Sequence, residues 1–111
     1  MPVLEASGTQ TATVGTEHTL ATLTTNKTFV LVVDTATLTQ AATVADVLEL
    51  RVYTTVLTAG VSRVAYFASY VSNQAMPQKI SIPIPSDISA VFTLKQTAGT
   101  GRAFPWKVLS I

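Results

Sequence analysis

From Asp46 to Val71 the chain reads Asp-Val-Leu-Glu-Leu-Arg-Val-Tyr-Thr-Thr-Val-Leu, then Thr-Ala-Gly-Val, then Ser-Arg-Val-Ala-Tyr-Phe-Ala-Ser-Tyr-Val. In the first half Leu48, Leu50 and Val52 alternate with Glu49, Arg51 and Tyr53. A strand points successive side chains to opposite faces, so this pattern sets an aliphatic row inward and a polar row outward. The second half repeats the scheme less cleanly, with Val64, Tyr66, Ala68 and Tyr70 on one parity. A short linker containing glycine between two such runs predicts a β-hairpin. Its length and amphipathic pattern place it at the centre of a sheet, and it fixes the fold class.

Shorter β signals flank this hairpin. Thr9 to Val14 and His18 to Leu23 read as strands, divided by a turn at Gly15-Thr16-Glu17. Branched Cβ atoms suit the pleated surface, so the many threonines fit strands. Thr28 to Asp34 is nearly continuous in β-branched and aromatic residues, as expected of a strand buried on both faces. Asp34 to Asp46 lacks a clear period. It reads either as a connection with at most one short helical turn or as a β-connection crossing between sheets. Ser72 to Pro77 is a polar loop. Lys79 to Pro85 sets Ile80, Ile82 and Ile84 on one face against Ser81, Pro83 and Pro85. Proline cannot donate to a ladder, so this strand belongs at an edge or ends at Pro83. Ile88 to Thr97 is another strand, with Phe92 and Leu94 against Thr93 and Lys95. Ala98-Gly99-Thr100-Gly101 is a tight hairpin turn. Arg102 to Ile111 closes the chain with Phe104, Trp106 and Val108 on one parity, and Pro105 marks an edge or a bulge.

About eight short strands with turn signals between them predict an all-β chain. The expected architecture is an antiparallel β-sandwich, jelly-roll-like, because the connections are too short for helical crossovers. Residues 1–8 read as an N-terminal arm, either frayed or docked on a neighbouring subunit. Residues 9–111 read as a single β-sandwich domain, which suits a chain of 111 residues.

Charged residues are only 12% of the chain while hydrophobic ones are 48%. A domain this small seldom covers its surface with so few charges. Threonine, about one residue in six, covers part of it. The other reading is that some of the surface meets copies of itself or a partner. The net charge is +1 and the basic residues are scattered, so no stripe exists for a phosphate backbone and nucleic-acid binding is not expected. No apolar run approaches a membrane span, and the start, Met-Pro-Val-Leu-Glu, lacks the pattern of a signal peptide. The expectation is therefore no membrane partner and synthesis in a cytoplasm.

No chemical constellation emerges. The chain has no cysteine and one histidine, His18. A triad would need Asp34, Asp46 or Asp87 to reach His18 beside a suitable serine, and the spacing suggests nothing of the kind. His18 is expected as a surface or turn residue. The carboxylates are dispersed and show no calcium-loop spacing, so neither a metal nor a cofactor is expected. Ala98-Gly99-Thr100-Gly101-Arg102 lacks the frame of a phosphate-binding loop and lies between strands rather than opening a helix. Glu49 and Arg51 read as a charge pair on one strand face, with Arg63 opposing them across the hairpin. Aromatic residues fill cores more often than they anchor interfaces. Interface candidates are Pro2, Val3 and Leu4 on the arm, together with Tyr70, Phe104 and Trp106. Trp106 leads them, beside Phe104 and Pro105 on what reads as a blunted edge.

The strings Val47-Leu48-Glu49-Leu50-Arg51-Val52-Tyr53-Thr54 and Leu94-Lys95-Gln96-Thr97-Ala98-Gly99-Thr100-Gly101-Arg102-Ala103-Phe104-Pro105-Trp106 resemble small virion structural proteins of tailed bacteriophages. Glu17-His18-Thr19-Leu20 and the strand Phe29-Val30-Leu31-Val32-Val33-Asp34 are similar too, so the resemblance covers most of the chain beyond residues 1–8. It implies a non-enzymatic head decoration or cement protein. Such a protein would sit on the capsid surface over subunit junctions, bind the major capsid protein lattice and often form a homotrimer. Other readings are a β-module of the neck, tail or fibre and a carbohydrate-binding β-sandwich.

Overall fold

The computed structural model describes residues 1–40 and 44–111. The described strands are β1 (Val3–Thr11), β2 (Glu17–Leu23), β3 (Lys27–Asp34), β4 (Val47–Thr55), β5 (Ser62–Val71), β6 (Gln78–Ile80), β7 (Ile84–Ser86), β8 (Ala90–Ala98) and β9 (Ala103–Ser110). They form two sheets. One runs β1-β9-β3-β6, with β7 also on β3, and the other runs β2-β8-β4-β5. Every pairing is antiparallel.

The two sheets share one core. From the first sheet come Phe29, Leu31 and Val33 of β3 with Phe104 and Val108 of β9. From the second come Leu48, Leu50 and Val52 of β4 with Phe92 and Leu94 of β8. The Phe29 and Phe92 rings meet edge to face across the sheets, with centroids 5.9 Å apart, a favoured geometry because the positive ring edge meets the negative face. The alternation in β4 appears as expected, with Leu48, Leu50 and Val52 buried between partly exposed neighbours. β3 also follows its reading, since Val32 is buried on the face away from the core.

Several expectations change. The stretch read as an N-terminal arm is strand from Val3 onward, paired along its length with β9. Its start is held by Glu5, whose Oε1 accepts from Lys27 Nζ at 2.6 Å and from Ser110 Oγ at 2.7 Å. Gly8 fits because the Trp106 indole lies against it; a Cβ there would stand 3.3 Å from Cζ2.

The isoleucine stretch is two strands, not one. Ser81 takes the place of a ladder residue: its N–H donates to Leu31 O, and its hydroxyl accepts from Leu31 N–H, both at 2.9 Å. The interruption breaks the parity. Ile84 faces the core at 4% exposure, while Ile80 and Ile82 stand in solvent. The edge position inferred from the prolines does hold, as among the described residues β6 and β7 pair only with β3.

The glycine turn after β8 is not a hairpin. It carries the chain from one sheet to the other, since β8 and β9 lie in different sheets. β9 itself is an interior strand rather than an edge; Trp106 is the last β9 residue that β3 pairs, and Pro105 stands opposite Thr9 of β1. The central hairpin is central only in its first arm. β4 lies between β8 and β5, whereas β5 is an edge. Between Asp34 and Asp46 the described residues contain a turn at Ala36–Thr37 and a bridge from Gln40 to Ala45, with no helical turn; the remainder of that connection, residues 41–43, lies outside the described residues.

Candidate functional site

Asp46 sits at the start of β4, fully buried, and organises the loops at one end of the sandwich. Its Oδ1 accepts from the Thr100 N–H at 2.9 Å. Its Oδ2 accepts from the Thr39 N–H at 3.0 Å and from Arg102 Nε at 2.9 Å. Burial works against the charged carboxylate. The two backbone donors and Arg102 outweigh it and hold Asp46 below the ordinary carboxylate range. Gln96, also buried, ties the same loop: its Nε2 donates to Ala98 O and Thr100 O, and its Oε1 accepts from the Arg102 N–H. The glycine-rich loop therefore does cradle an anion, and the anion is the chain's own Asp46. The group is satisfied internally and serves the fold.

His18 belongs to β2, and its Nε2 accepts from the Thr13 N–H at 3.0 Å, which pins the turn before it. Glu17 accepts from Thr93 Oγ1 at 2.6 Å and from the Tyr53 hydroxyl at 2.7 Å. The Thr93 bond leads in lowering its pKa and outweighs the burial that opposes it. Among the described residues no group of three or more His, Cys, Asp or Glu is placed to hold a metal ion. Nor is any helix there long and apolar enough to cross a membrane.

Two outward surfaces are unusually apolar. The first is on the outer face of the β1-β9-β3-β6 sheet. Leu4 and Ser7 of β1, Pro105 and Lys107 of β9, Val32 and Asp34 of β3 and Gln78 of β6 line an open concavity of about 460 Å³, with Pro77 and Trp106 at its wall. Exposed Ile80 stands opposite Val32 on the same face. The second is the β4–β5 hairpin. Its tip exposes Val56, Leu57 and Val61, and β5 exposes Val64, Phe67 and Val71.

The charges on the second sheet form a band on its outer face. Glu49 and Arg51 pair at 2.9 Å, as their spacing predicts. Arg63 does not oppose them. A register shift between Val52 and Tyr53 sets it opposite Thr54, and the row is faced by Ser69 and Phe67 instead. Arg51 lies over the Phe67 ring, 4.8 Å from its centroid.

The interface candidates divide. Val3 and Leu4 are exposed, as is Pro2, and Leu4 lines the concavity. Phe104 is a correction: at 0% exposure it is core, because β9 is an interior strand and residue 104 shares the inward parity of Val108. Trp106 is half-buried, packed against the core and against Gly8. Tyr70 is partly buried beneath Lys79, whose Nζ lies 4.8 Å from its ring centroid. Burial, helped by the neighbouring Tyr66 phenol, pushes the Tyr70 phenol up to about 12. Sequence reasoning missed Ile80, Ile82 and the hairpin tip as exposed apolar groups. The runs of exposed valine and leucine around Gly60 were the signal available for the tip.

Protein-family models, curated proteins and solved structures offer no match to this chain.

Proposed function

We propose that the chain is a non-enzymatic structural protein of a virion, a capsid decoration protein that docks on the assembled head at subunit junctions and stabilises it. The observation that carries this reading is the outer surface. A chain with few charges leaves Leu4, Ile80, Ile82, Val56, Leu57 and Val61 in solvent, in two separate regions. Extended apolar surface of this kind marks contact sites. A protein repeated over a lattice gains by many weak contacts, and sparse charge lowers the desolvation cost of each one.

The strand order supports a jelly-roll reading of the sandwich. The two sheets interleave, with β1, β3, β6 and β9 in one and β2, β4, β5 and β8 in the other. Viral capsid and lectin domains both use that architecture, so its weight is that of analogy. Together with the resemblance to phage virion proteins, it favours the capsid surface over a tail or fibre position. The test is the heat resistance of phage heads assembled with and without the chain. Loss of the chain should lower the temperature at which heads release their contents, and unchanged heads would remove the reading.

A second reading is favoured by one observation. The concavity beside Trp106 offers Asp34, Gln78 and Lys107 among apolar walls, a mixture suited to a sugar ring. Binding in a glycan screen that Asp34→Ala abolishes would move the assignment to host-surface carbohydrate.

A further inference from the structure

The four sheet edges are not alike. β6 and β7 are three residues each and lie among Pro77, Pro83 and Pro85. β1 and β2 each carry a register irregularity, at Leu4/Ala6 and at Thr19/Ala21. Short strands, prolines and bulges are the usual guards against edge pairing. β5 is ten residues long and ends its sheet. Its own irregularity falls near Ala65, opposite Val52/Tyr53, and leaves Tyr66–Val71 regular. From Val64 to Gln78 the chain has no charged residue and no proline before Pro77.

We propose that β5 is a pairing edge for a second copy of this chain, antiparallel about a two-fold axis at Ala68, so that two four-stranded sheets join into one. That register is self-matching. Tyr66 stands opposite Tyr70 of the second copy, and Phe67 opposite its Ser69, each twice. Aromatic cross-strand pairs and a large residue beside a small one both favour a pairing. Charge agrees as well. Glu49 lies beside Ser69 and Arg51 beside Phe67, so each row runs from Glu49 of one copy to Arg51 of the other, and no like charges meet.

The register also gathers exposed apolar surface. Beyond β5 it brings the tip of one hairpin, with Val56, Leu57 and Val61, alongside the loop of the other that exposes Met76. After Met1, these four are the most exposed large apolar residues among those described. β5, the tip and that loop supply about the twenty residues a side of a standard interface. A three-fold ring, which the resemblance implies, would need two different patches meeting head to tail; a self-matching strand makes the two-fold kind.

The test is light scattering across concentration, joined to disulfide trapping. The chain has no cysteine, so Ala68→Cys adds a lone thiol at the axis, where it would meet its own image within bridging distance. We expect a mass twice that of one chain, and oxidation of Ala68→Cys to a covalent dimer while Thr22→Cys on β2 stays uncoupled. Ala68→Lys, which sets like charges opposite each other, should weaken the dimer by at least about tenfold without loss of fold by circular dichroism. A monomer at every concentration, a trimer, or a dimer indifferent to both Ala68 variants would overturn the proposal. It stands apart from the decoration reading: a trapped dimer that ignores phage heads would keep the pairing and remove that function.

Discussion

Gly99 lies directly against Asp46: with φ at +89°, any Cβ on residue 99 would run into the Asp46 carboxylate and stand 2.7 Å from its Cα. The approach lets the loop between β8 and β9 close over a buried charge and deliver the Thr100 N–H to it. A backbone turn, a carboxylate and the crossing between the two sheets are thus one feature.

Gly99→Ala should therefore be costly. A left-handed conformation alone costs an L-residue about 1–2 kcal/mol, and here the contact with Asp46 adds to it. Gly15 is the matched control. It has a similar φ of +88° with nothing within 4 Å of a Cβ, so Gly15→Ala should show the conformational cost alone. Denaturant midpoints for the two variants measure the difference, and equal shifts would contradict the account.

Asp46→Asn tests the buried charge itself. The change removes the ionic partner of Arg102 and sets an amide where three N–H donors converge. Breaking a buried pair costs roughly 3–5 kcal/mol; Arg102 is partly exposed, so the expected loss is nearer roughly 2–3 kcal/mol after solvent screening. Chemical unfolding reads it.

The same group gives the sign of an acid limb. The folded-state pKa of Asp46 lies below its unfolded value, so its contribution is fully present above the ordinary carboxylate range. It is lost as pH falls through the unfolded and then the folded value. Glu17, lowered chiefly by its Thr93 bond, acts in the same direction. Stability should fall below about pH 4, and Asp46→Asn should flatten that fall. A melting-temperature profile from pH 2 to pH 7, or roughly that span, would show it.

Phe104 and Leu4 separate core from contact surface. Phe104→Ala empties a fully buried site and should cost about 3–5 kcal/mol. Leu4→Glu changes an exposed position on the concavity and should leave stability within about 0.5 kcal/mol. On the proposed function it should also weaken attachment to heads by about tenfold. A Leu4→Glu chain that binds heads as before would move the contact away from this face.

Much of the fold was legible because the residues that fill the core obey a two-residue period. Leu48, Leu50 and Val52 announce β4, and the run from Phe29 to Val33 announces β3. What stayed hidden depends on contacts distant in sequence. Phe104 and Trp106 share a parity and flank Pro105; only the pairing of β9 with both β1 and β3 shows that one ring is core and the other sits at its border. Ile80, Ile82 and Ile84 read as one face because nothing local reveals that the Ser81 hydroxyl substitutes for a ladder bond to Leu31. The first part of β1, residues 3–8, reads as a lead-in because Ser7-Gly8 is a loop signal, whereas Gly8 makes room for an indole nearly a hundred residues away. Asp46 looked like one carboxylate among six dispersed ones, and its partners Thr39, Thr100 and Arg102 meet only after both sheets have formed.

The most direct measurement of the central claim is co-sedimentation of the purified chain with phage heads that lack it, run beside tails from the same particles. Binding to heads should be saturable and in a fixed ratio to the lattice subunit, with tails left bare. Heads that sediment without the chain, or binding confined to tails, would contradict it.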